Sequence, residues 1–428
     1  MIKKENPKDV PRGRIRRSGI IGVAAAKAGL KRLEYISKKP FLSKGDKAES
    51  LERNDEEIAR MIFSAVGMLK GAPVKLAQIF SMEMERLPEA YQKELLKSTS
   101  QVPPINRALI RNIIKRELGD WPERIFQSFN PLPFAAASLG QVHRAASHDG
   151  DALAVKVQYP GIAEGVRSDI AMARSILRMT PYSWLLDGAV KEVERGITEE
   201  LDYRIEAKNT EFFRKNIGTE DVIVPEVYEE LSAEHVLTTS FIEGIKLDDW
   251  LAQNPGQEKR DHYGKIFCDL FSTCLNKNHL IHADPNIGNF LFRNDGRLGL
   301  IDFGCVMRLE EDFMNRLKAF IRATGKKGLV SIEDIHAFTG ISYKRNNGDK
   351  ESREFISGWV EFITRPIRTG YFDFAENADY FNETKKFIPR IYNYIDGYEG
   401  GVMYFGRTMY GLYRILHRLG TRLRMEPV

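Results

Sequence analysis

The sequence predicts an α+β protein with a small lobe that contains a sheet and a larger helical lobe, preceded by a helical extension. Short runs of β-branched and apolar residues are confined to the segment 126–243 and to one hairpin further along the chain. Elsewhere apolar residues recur at three- and four-residue steps, which is typical of helices. The 428 residues are 43% hydrophobic and 29% charged, so the chain is globular and long enough for two or three packed lobes.

The first 50 residues form a basic leader. Residues 1–47 hold 14 Lys and Arg against 4 Asp and Glu, a local balance of +10, so the rest of the chain carries about −5. Charge mixed with Pro and Gly favours an extended arm over residues 1 to about 18. The leader either meets anionic lipid or an acidic partner, or is a solvated segment. No nucleic acid is expected, because the basic residues come without a groove-reading pattern.

Residues 51–125 are predicted to form the helical extension. Their apolar side chains recur at helical spacing, as in Ile58, Met61, Ile62, Ala65, Val66 and Leu69. No run of about 18 apolar residues occurs, so we expect no transmembrane helix. The three cysteines show neither disulfide nor zinc-site spacing, and the N-terminus lacks a signal-peptide pattern. These observations favour a cytoplasmic protein.

The sheet of the small lobe, residues 126–243, is predicted from three strand-like runs, with a long helical region at 162–215 between the second and the third. The runs are 139–143, 153–158 and 235–241. Helices dominate residues 244–428. Two short strands, 290–293 and 298–301, interrupt them, and the turn Asn294-Asp295-Gly296 joins these strands as a hairpin.

Polar residues around this hairpin carry the strongest chemical signal. The loop before it reads His282-Ala283-Asp284-Pro285-Asn286-Ile287-Gly288-Asn289, and Asp302-Phe303-Gly304 follows it. Phosphoryl transfer needs a carboxylate that orients or deprotonates the acceptor, and oxygen ligands for magnesium on the nucleotide phosphates. We assign the first role to Asp284 and the second to Asn289 and Asp302. Each residue alone is more typical of a turn or a cap, but their joint spacing favours a site for ATP and Mg²⁺.

Lys156 lies inside the second predicted strand, in Ala154-Val155-Lys156-Val157. Such a lysine can contact the α and β phosphates when a carboxylate on a helix fixes its orientation. Candidate carboxylates are Asp202 and Glu206, which are four residues apart and share a helical face. A strand lysine alone usually faces solvent, and an acidic cluster is usually a solvated helix surface. The assignment of Lys156 to the phosphates therefore depends on its position in the chain before Asp284, Asn289 and Asp302.

The segment that should cover the phosphates is rich in alanine where glycine is expected. It contains Ala135, Ala136, Ala137 and Ser138. Backbone amides must approach phosphates closely, and alanine permits this with fewer backbone conformations than glycine. Nucleotide binding is therefore expected with an altered geometry, although the segment alone favours a helix start or tight packing. Ser240 and Ile242, at the end of the third predicted strand, complete the candidate nucleotide contacts.

These residues together resemble the UbiB/AarF/ADCK family of atypical, protein-kinase-like proteins, from about Val10 to beyond Asp302. The motifs that carry the resemblance are the alanine-rich loop, Glu200-x-Asp202 with Glu206 and Asn209, the loop from His282 to Asn289, and Asp302-Phe303-Gly304. The resemblance implies a bilobal protein-kinase-like fold, with the N-lobe at 126–243 and the C-lobe at 244–428.

The family's extension bears a Lys-x-Gly-Gln motif and folds across the cleft where a protein substrate would bind. This chain reads Lys75-Leu76-Ala77-Gln78, so Lys75 and Gln78 match while Ala77 replaces the glycine. The methyl group of Ala77 weakens the expectation that the extension inhibits kinase activity. By resemblance, Glu206 pairs with Lys156, whereas Glu200 and Asp202 meet Lys75 and a metal ion.

The resemblance also implies an activity. It implies ATP hydrolysis, or phosphorylation of a small or lipid-like acceptor, in support of isoprenoid-quinone biosynthesis at a membrane surface. Anionic or isoprenoid lipid and quinone-biosynthesis proteins are the implied partners. No Ala-Pro-Glu follows Asp302-Phe303-Gly304, so we expect no peptide-docking activation segment.

A basic amphipathic pattern near the C-terminus bears on membrane contact. Its apolar face comprises Leu412, Ile415, Leu416, Leu419 and Leu423, and its basic face comprises Arg414, Arg418 and Arg422. The apolar face either packs on the helical lobe, which is the favoured interpretation, or lies on a membrane surface. Any membrane attachment is expected to be peripheral.

Two alternative functions remain open at the level of sequence. The first is a nucleotide-gated scaffold that binds lipid or protein partners without turnover. The presence of Asp284 argues against it, because a carboxylate at this position is dispensable for merely holding nucleotide. The second is a soluble small-molecule phosphotransferase, whose catalytic loop has comparable Asp-to-Asn spacing. The alanine-rich loop and the Lys75 to Gln78 motif weigh against it.

Overall fold

The structure is a computed structural model. It describes residues 106–137, 139–160, 198, 201–324, 330–343, 349–377, 380 and 394–425, with single positions between 23 and 61 and between 383 and 391. The chain divides into two compact units. The first comprises Met1–Ile105, Ala137–Gly140 and Tyr159–Ile197, and the second comprises Asn106–Ala136, Gln141–Gln158 and Thr198–Val428.

The first unit is helical at its described positions between residues 23 and 61. Two stretches of it are in contact, because the Asn54 Nδ2 donates to the Lys31 carbonyl at 2.9 Å and the Lys31 Nζ lies 2.8 Å from the Glu57 Oε2. The predicted motif residues Lys75 and Gln78 lie outside the described residues, as do Ser138 and Glu200.

The second unit begins with two helices, α1 at Arg107–Leu118 and α2 at Pro122–Ile125, followed by a four-stranded sheet. The strands that form the sheet are β1 at Ser128–Ala137, β2 at Gly140–Ala146, β3 at Ala152–Gln158 and β5 at Val236–Ser240, in the order β1-β2-β3-β5. Three of the four match the predicted runs. Strand β3 pairs antiparallel with β5 from Leu153 opposite Ser240 to Val157 opposite Val236.

Strand β1 corrects the sequence analysis. Ala135, Ala136 and Ala137 form the end of this strand, not a separate loop or the start of a helix. The prediction missed β1 because Pro131, Pro133 and the alanines have low strand propensity. Proline is tolerated here because β1 is at the edge of the sheet, where a missing amide donor breaks no ladder bond.

Helix α3, Tyr203–Asn216, follows between β3 and β5. Asp202 is its N-cap, since the Asp202 Oδ1 accepts from the Arg204 amide at 3.0 Å. Its buried side chains recur at steps of three and four residues and are Tyr203, Glu206, Thr210 and Phe213. Glu206 is a carboxylate on an otherwise apolar face, and such a buried charge requires a partner.

The remaining elements are mainly helical, as predicted. The helices are α4 at Leu247–Ala252, α5 at Gln257–Ser272, α6 at Glu311–Thr324, α7 at Ile332–Thr339, α8 at Lys350–Arg368 and α9 at Gly400–Leu419. The short strands are β4 at Val222–Ile223, β6 at Leu280–His282, β7 at Phe290–Phe292, β8 at Leu298–Leu300, β9 at Val306–Arg308, β10 at Ser342–Tyr343, β11 at Phe372–Asp373, β12 at Ile395–Gly397 and β13 at Arg422–Leu423.

The predicted hairpin is confirmed as β7 and β8, with Phe290 opposite Leu300. Gly296 in its turn has φ 83°, a conformation that favours glycine. Strand β4 adds to β8 in parallel, and β6 pairs antiparallel with β9. The hairpin therefore brings the residue before β7 and the residues after β8 to the same end of a small sheet.

Helix α9 decides between the two interpretations of the C-terminal amphipathic pattern. Leu412, Ile415, Leu416 and Leu419 are at most 7% exposed, so the apolar face packs inside the protein. The helix ends at Leu419 because Gly420 adopts a left-handed conformation, and Leu423 lies in β13, not on the helix face as predicted. The packing interpretation is confirmed.

The basic residues of this pattern are used within the protein as well. Arg418 contacts the Asp248 carboxylate, and the Arg422 Nε lies 2.9 Å from the Asp373 Oδ2. The amphipathic pattern of α9 therefore reports packing, and it no longer supports membrane contact. Within the described ranges, no helix is both long enough and apolar enough to cross a bilayer.

Candidate functional site

A buried ion pair joins strand β3 to helix α3. The Lys156 Nζ lies 2.8 Å from both carboxylate oxygens of Glu206, and the two side chains are only 16% and 3% exposed. The amine also lies 5.0 Å from the centre of the Tyr203 ring. Tyr203 and Glu206 are three residues apart, so the first turn of α3 presents both of them to the lysine.

The electrostatic surroundings keep Lys156 charged. Burial alone would lower the pKa of its amine, but the carboxylates of Asp302 and Glu206 outweigh burial and raise the pKa well above its ordinary value. The Asp302 Oδ2 lies 3.5 Å from the Lys156 Nζ. The lysine is therefore a fixed cation between two carboxylates at neutral pH.

Asp302 follows β8 and is held through its backbone. The His282 Nε2 donates to the Asp302 carbonyl at 2.7 Å, and the Asn209 Nδ2 of α3 donates to the Phe303 carbonyl at 3.0 Å. The Phe303 side chain is 1% exposed and packs on Phe213 with ring centres 5.0 Å apart. These contacts set the direction of the Asp302 carboxylate, whose Oδ1 also accepts from the Gly304 amide at 3.0 Å.

Asp284 and Asn289 are the two ends of a tight loop after β6. The Asn289 Nδ2 donates to the Asp284 Oδ2 at 3.0 Å, which leaves the Asn289 Oδ1 as an oxygen ligand. The Ile301 amide donates to the Asn289 carbonyl at 3.0 Å. Because Ile301 immediately precedes Asp302, the hairpin brings Asn289 and Asp302 to neighbouring positions, as the sequence predicts.

Gly411 of α9 supports this loop from the other side. A Cβ atom at Gly411 would lie 2.3 Å from both the Cβ and the Cγ of Pro285, which is too close for any side chain. The backbone of α9 and the Pro285 ring are therefore in direct contact. Pro285 is next to Asp284, so the position of α9 limits where the Asp284 carboxylate can lie.

We expect Gly411→Ala to lower the free energy of unfolding by about 1–3 kcal/mol, because an added methyl group in this close contact forces the backbone to shift. Gly406→Ala is the matched control on the same helix, since no atom lies within 4 Å of a Cβ at that position. The measurement is urea unfolding of each variant with linear extrapolation. Wild-type stability in Gly411→Ala would contradict the close contact between α9 and Pro285.

The sheet holds five of the predicted nucleotide contacts, and the structure separates them. They are Lys156, Ser240, Ala135, Ala136 and Ala137. Side chains of directly opposed residues share one face of an antiparallel pair, so Lys156, Ala154 and Thr239 share a face. Ser240 is on the opposite face, and its Oγ accepts from the Glu226 amide at 3.0 Å. The exposed residues Ala135 and Ala136 end the edge strand β1.

A sixth predicted contact, Ile242, is an internal packing residue. It is 8% exposed, and its Cγ2 would lie 2.8 Å from a Cβ at Gly299 of β8. Two further residues near Lys156 were not among the predicted contacts. Thr239 shares the strand face of Lys156, and Tyr203 lies one helical turn before Glu206 with its ring centre 5.0 Å from the Lys156 amine. The strand period and the helical period would have identified them once Lys156 and Glu206 were placed.

Asp202 was predicted to be a metal ligand with Glu200. Its carboxylate caps α3 and contacts Arg204, with Oδ1 2.8 Å from the Arg204 Nε and Oδ2 2.9 Å from the Arg204 Nη2. The hydrogen bond from Arg204 lowers the pKa of Asp202. Arg204 also contacts Glu234 at 3.3 Å. Both oxygens of Asp202 are thus used at the start of α3.

The other predicted site residues suit a magnesium ion and a nucleoside triphosphate. Magnesium prefers oxygen ligands and is typically held by one or two protein groups together with phosphate oxygens. Asp302 and Asn289 supply such oxygens side by side. Lys156 adds the cation that phosphates require, already oriented by Glu206. Asp284 lies within hydrogen-bonding distance of Asn289 and completes the set.

The chain is similar in sequence to known kinase-like proteins. The family described as "ABC1 atypical kinase-like domain" matches residues 97–335. A probable serine/threonine-protein kinase of Dictyostelium discoideum, abkA, is 33% identical over 389 residues, which are 87% of this chain and 68% of that protein. The mitochondrial atypical kinase coq-8 of Caenorhabditis elegans is 34% identical over 375 residues, 79% of this chain and 47% of that protein.

One solved structure is similar over most of its length. It is the complex of Rv3197 with erythromycin from Mycobacterium tuberculosis, with a TM-score of 0.57 and 26% sequence identity. The similarity covers 90% of this chain and 97% of that one. Several curated relatives are much longer than this chain, which spans 47% of the nematode protein and 57% of a zebrafish atypical kinase named COQ8B.

Proposed function

Because the chain belongs to the ABC1 atypical kinase-like family, the family that its motifs resemble under the names UbiB, AarF and ADCK, we propose that it binds ATP with Mg²⁺ and hydrolyses it or transfers its terminal phosphoryl group. One observation carries the proposal. The Lys156 Nζ is held by Glu206 and lies 3.5 Å from Asp302, the residue that also neighbours the Asp284 to Asn289 loop. A cation between carboxylates, next to further side-chain oxygens, suits the phosphates of a nucleotide and would suit a magnesium ion.

Each residue then has a distinct role. Lys156 binds the α and β phosphates, and Glu206 fixes its direction. Asp302 and Asn289 hold magnesium, which neutralises the charge that develops on the phosphates. Asp284 accepts a proton from water or from an acceptor hydroxyl, and the hydrogen bond from the Asn289 Nδ2 orients its carboxylate.

The proposed acceptor is small or lipid-like, and the proposed setting is isoprenoid-quinone biosynthesis at a membrane surface. The support comes from family membership and from the lack of an Ala-Pro-Glu sequence after Asp302-Phe303-Gly304. Since α9 uses its apolar face for packing, the basic leader at residues 1–47 is the remaining candidate for peripheral membrane contact.

The test is ATP hydrolysis by the purified protein with Mg²⁺, with and without anionic vesicles and a phenolic mimic of a quinone precursor. We expect turnover in the wild type, stimulated by the vesicles. Asp284→Asn should lower turnover about 100-fold and leave nucleotide affinity nearly unchanged, because a proton acceptor contributes to the reaction step and not to binding.

Asp312→Asn is the control, since Asp312 is 83% exposed on α6. Equal turnover in wild type and Asp284→Asn would contradict the role of Asp284. Nucleotide binding without any turnover in the wild type would favour the scaffold alternative. Rapid turnover of a soluble acceptor, insensitive to vesicles, would favour the small-molecule phosphotransferase.

A further inference from the structure

Lys246 is a second lysine at the candidate site, next to the loop from Asp284 to Asn289. It is not part of any of the motifs that the sequence analysis identified. It lies in the linker between β5 and α4, and this linker is fixed to strand β7. Ile245 and Phe292 exchange two backbone hydrogen bonds of 2.9 and 2.8 Å, and the Arg293 Nη1 donates to the Glu243 carbonyl at 2.9 Å. The backbone before Lys246 is therefore held against the strand that follows Asn289.

The close packing of this linker depends on Gly244. A Cβ atom at Gly244 would lie 2.8 Å from the Cβ of Leu291 in β7. The absence of a side chain lets the linker approach the hairpin closely. As a result, the Lys246 side chain starts next to the hairpin whose two ends carry Asn289 and Asp302.

The amine of Lys246 enters the loop between Asp284 and Asn289. Its Nζ donates a hydrogen bond to the Gly288 carbonyl, next to the proposed magnesium ligand Asn289. The residue keeps exposed surface, yet burial around the amine lowers the pKa of Lys246, and the negative charge of Asp302 offsets this only in part.

The two lysines of the site differ in their partners. Lys156 is balanced by Glu206 and Asp302, whereas Lys246 contacts a neutral carbonyl and forms no ion pair with a carboxylate in the described part of the chain. Partial burial of a cation without a paired charge is unfavourable. An anion at the loop would supply the missing charge and give the amine a stronger hydrogen bond than a carbonyl does.

We propose that Lys246 binds a phosphate group at the loop from Asp284 to Asn289. The inference rests on the proposed function, because it concerns the same site. The phosphate belongs either to the nucleotide or to a phosphorylated acceptor. The two sources share one chemistry, an oxyanion next to the magnesium ligands, and the test separates them.

The experiment measures calorimetric affinities of the full-length chain for adenosine, AMP, ADP, ATP and pyrophosphate with Mg²⁺. Lys246→Met removes the charge and keeps the length of the side chain, and Lys246→Arg keeps the charge. Lys259→Met is the control, on the exposed surface of α5. We expect Lys246→Met to weaken ATP binding at least about tenfold and to leave adenosine binding unchanged, with Lys246→Arg close to wild type.

The smallest nucleotide whose affinity falls in Lys246→Met identifies the phosphate that Lys246 contacts. Loss that first occurs with AMP, ADP or ATP assigns Lys246 to the α, β or γ phosphate. Loss for pyrophosphate alone, with all nucleotides unaffected, assigns it to a phosphate on the acceptor side. Equal weakening of every ligand, adenosine included, would mean that Lys246 only holds the loop and would overturn the inference.

Unchanged affinities in Lys246→Met would overturn the inference as well. A wild-type protein that binds no ATP with Mg²⁺ would instead contradict the proposed function. Thermal unfolding of each variant shows whether the fold is retained, and we expect a retained fold because the lysine keeps exposed surface.

Discussion

Replacing Asp302 with Asn should lower ATP turnover by about 1,000-fold. The rate that remains should no longer rise when Mg²⁺ is added in the millimolar range. Asparagine keeps the shape of the side chain and the oxygen that accepts from the Gly304 amide. It removes the negative charge that would hold the metal ion, and electrostatic stabilisation by a bound metal contributes several kcal/mol to a transition state. The measurement is the initial rate of ATP hydrolysis as a function of magnesium concentration.

The loss should be specific to this carboxylate. Asp312→Asn makes the same chemical change on the exposed surface of α6 and should leave the rate and its magnesium dependence unchanged. Asp302→Asn also removes one of the two negative charges beside Lys156, so its thermal unfolding must be recorded with the rate. A folded Asp302→Asn variant with wild-type rate and magnesium dependence would contradict our assignment of the metal site.

Replacing Glu206 with Gln should reduce the free energy of unfolding by roughly 3 kcal/mol, because Lys156 loses the nearer and more deeply buried of its two carboxylate partners. The carboxylate is 3% exposed, and both of its oxygens lie 2.8 Å from the Lys156 Nζ. Urea unfolding with linear extrapolation measures the change. Asp302, whose Oδ2 lies 3.5 Å from the Lys156 Nζ, still compensates the lysine in part, which keeps the expected loss at the lower end for a buried pair. We expect turnover to fall in the same variant, since Lys156 loses the group that orients it.

A double variant separates charge from shape. Lys156→Met combined with Glu206→Gln removes both charges and should recover much of the lost stability, but none of the turnover. Asp269→Asn, which breaks the exposed pair with Lys265 on α5, should cost less than about 1 kcal/mol. If Glu206→Gln unfolds at the wild-type urea concentration, the pair is not a determinant of stability.

The pH dependence of this pair follows from the direction of the shift. The carboxylates raise the pKa of Lys156 in the folded protein above its unfolded value of about 10.4. The contribution of the charged lysine to stability is therefore complete below that pH and is lost as the pH rises through the folded pKa. The difference in stability between wild type and Glu206→Gln should accordingly be constant from about pH 7 to 9.

Local pattern was sufficient for most of the fold. Strands β2, β3 and β5 and the hairpin of β7 and β8 were predicted because β-branched runs and an Asn-Asp-Gly turn act over a few residues. Strand β1 was missed, since an edge strand tolerates the prolines and alanines that a central strand excludes. The helical pattern after Leu419 was also misjudged, because Gly420 ends α9 and Leu423 pairs in a strand.

In the candidate site, spacing in the sequence placed some residues and packing placed others. The spacing from Asp284 to Asn289 and on to Asp302 spans one loop and one hairpin, so the sequence determined that these side chains are neighbours. Asp202 and Glu206 have the same charge and helical spacing, and spacing cannot tell which of them faces the lysine. Packing decided it, because α3 begins at Tyr203 and turns Glu206 inward while Asp202 caps the helix.

The sequence by itself determined the class of fold, the family and the order of the loop residues, because each depends on contacts between residues close in the chain. The family resemblance, and not the spacing, implied that Glu206 pairs with Lys156 across 50 residues of sequence, and the structure confirms this pair at 2.8 Å. Only the tertiary structure decided the contact between Lys246 and Gly288, which are 42 residues apart. The tertiary structure also decided the contact between Gly411 and Pro285. Such contacts have no period or spacing in the sequence, since they arise when separate elements pack and bury their surfaces together.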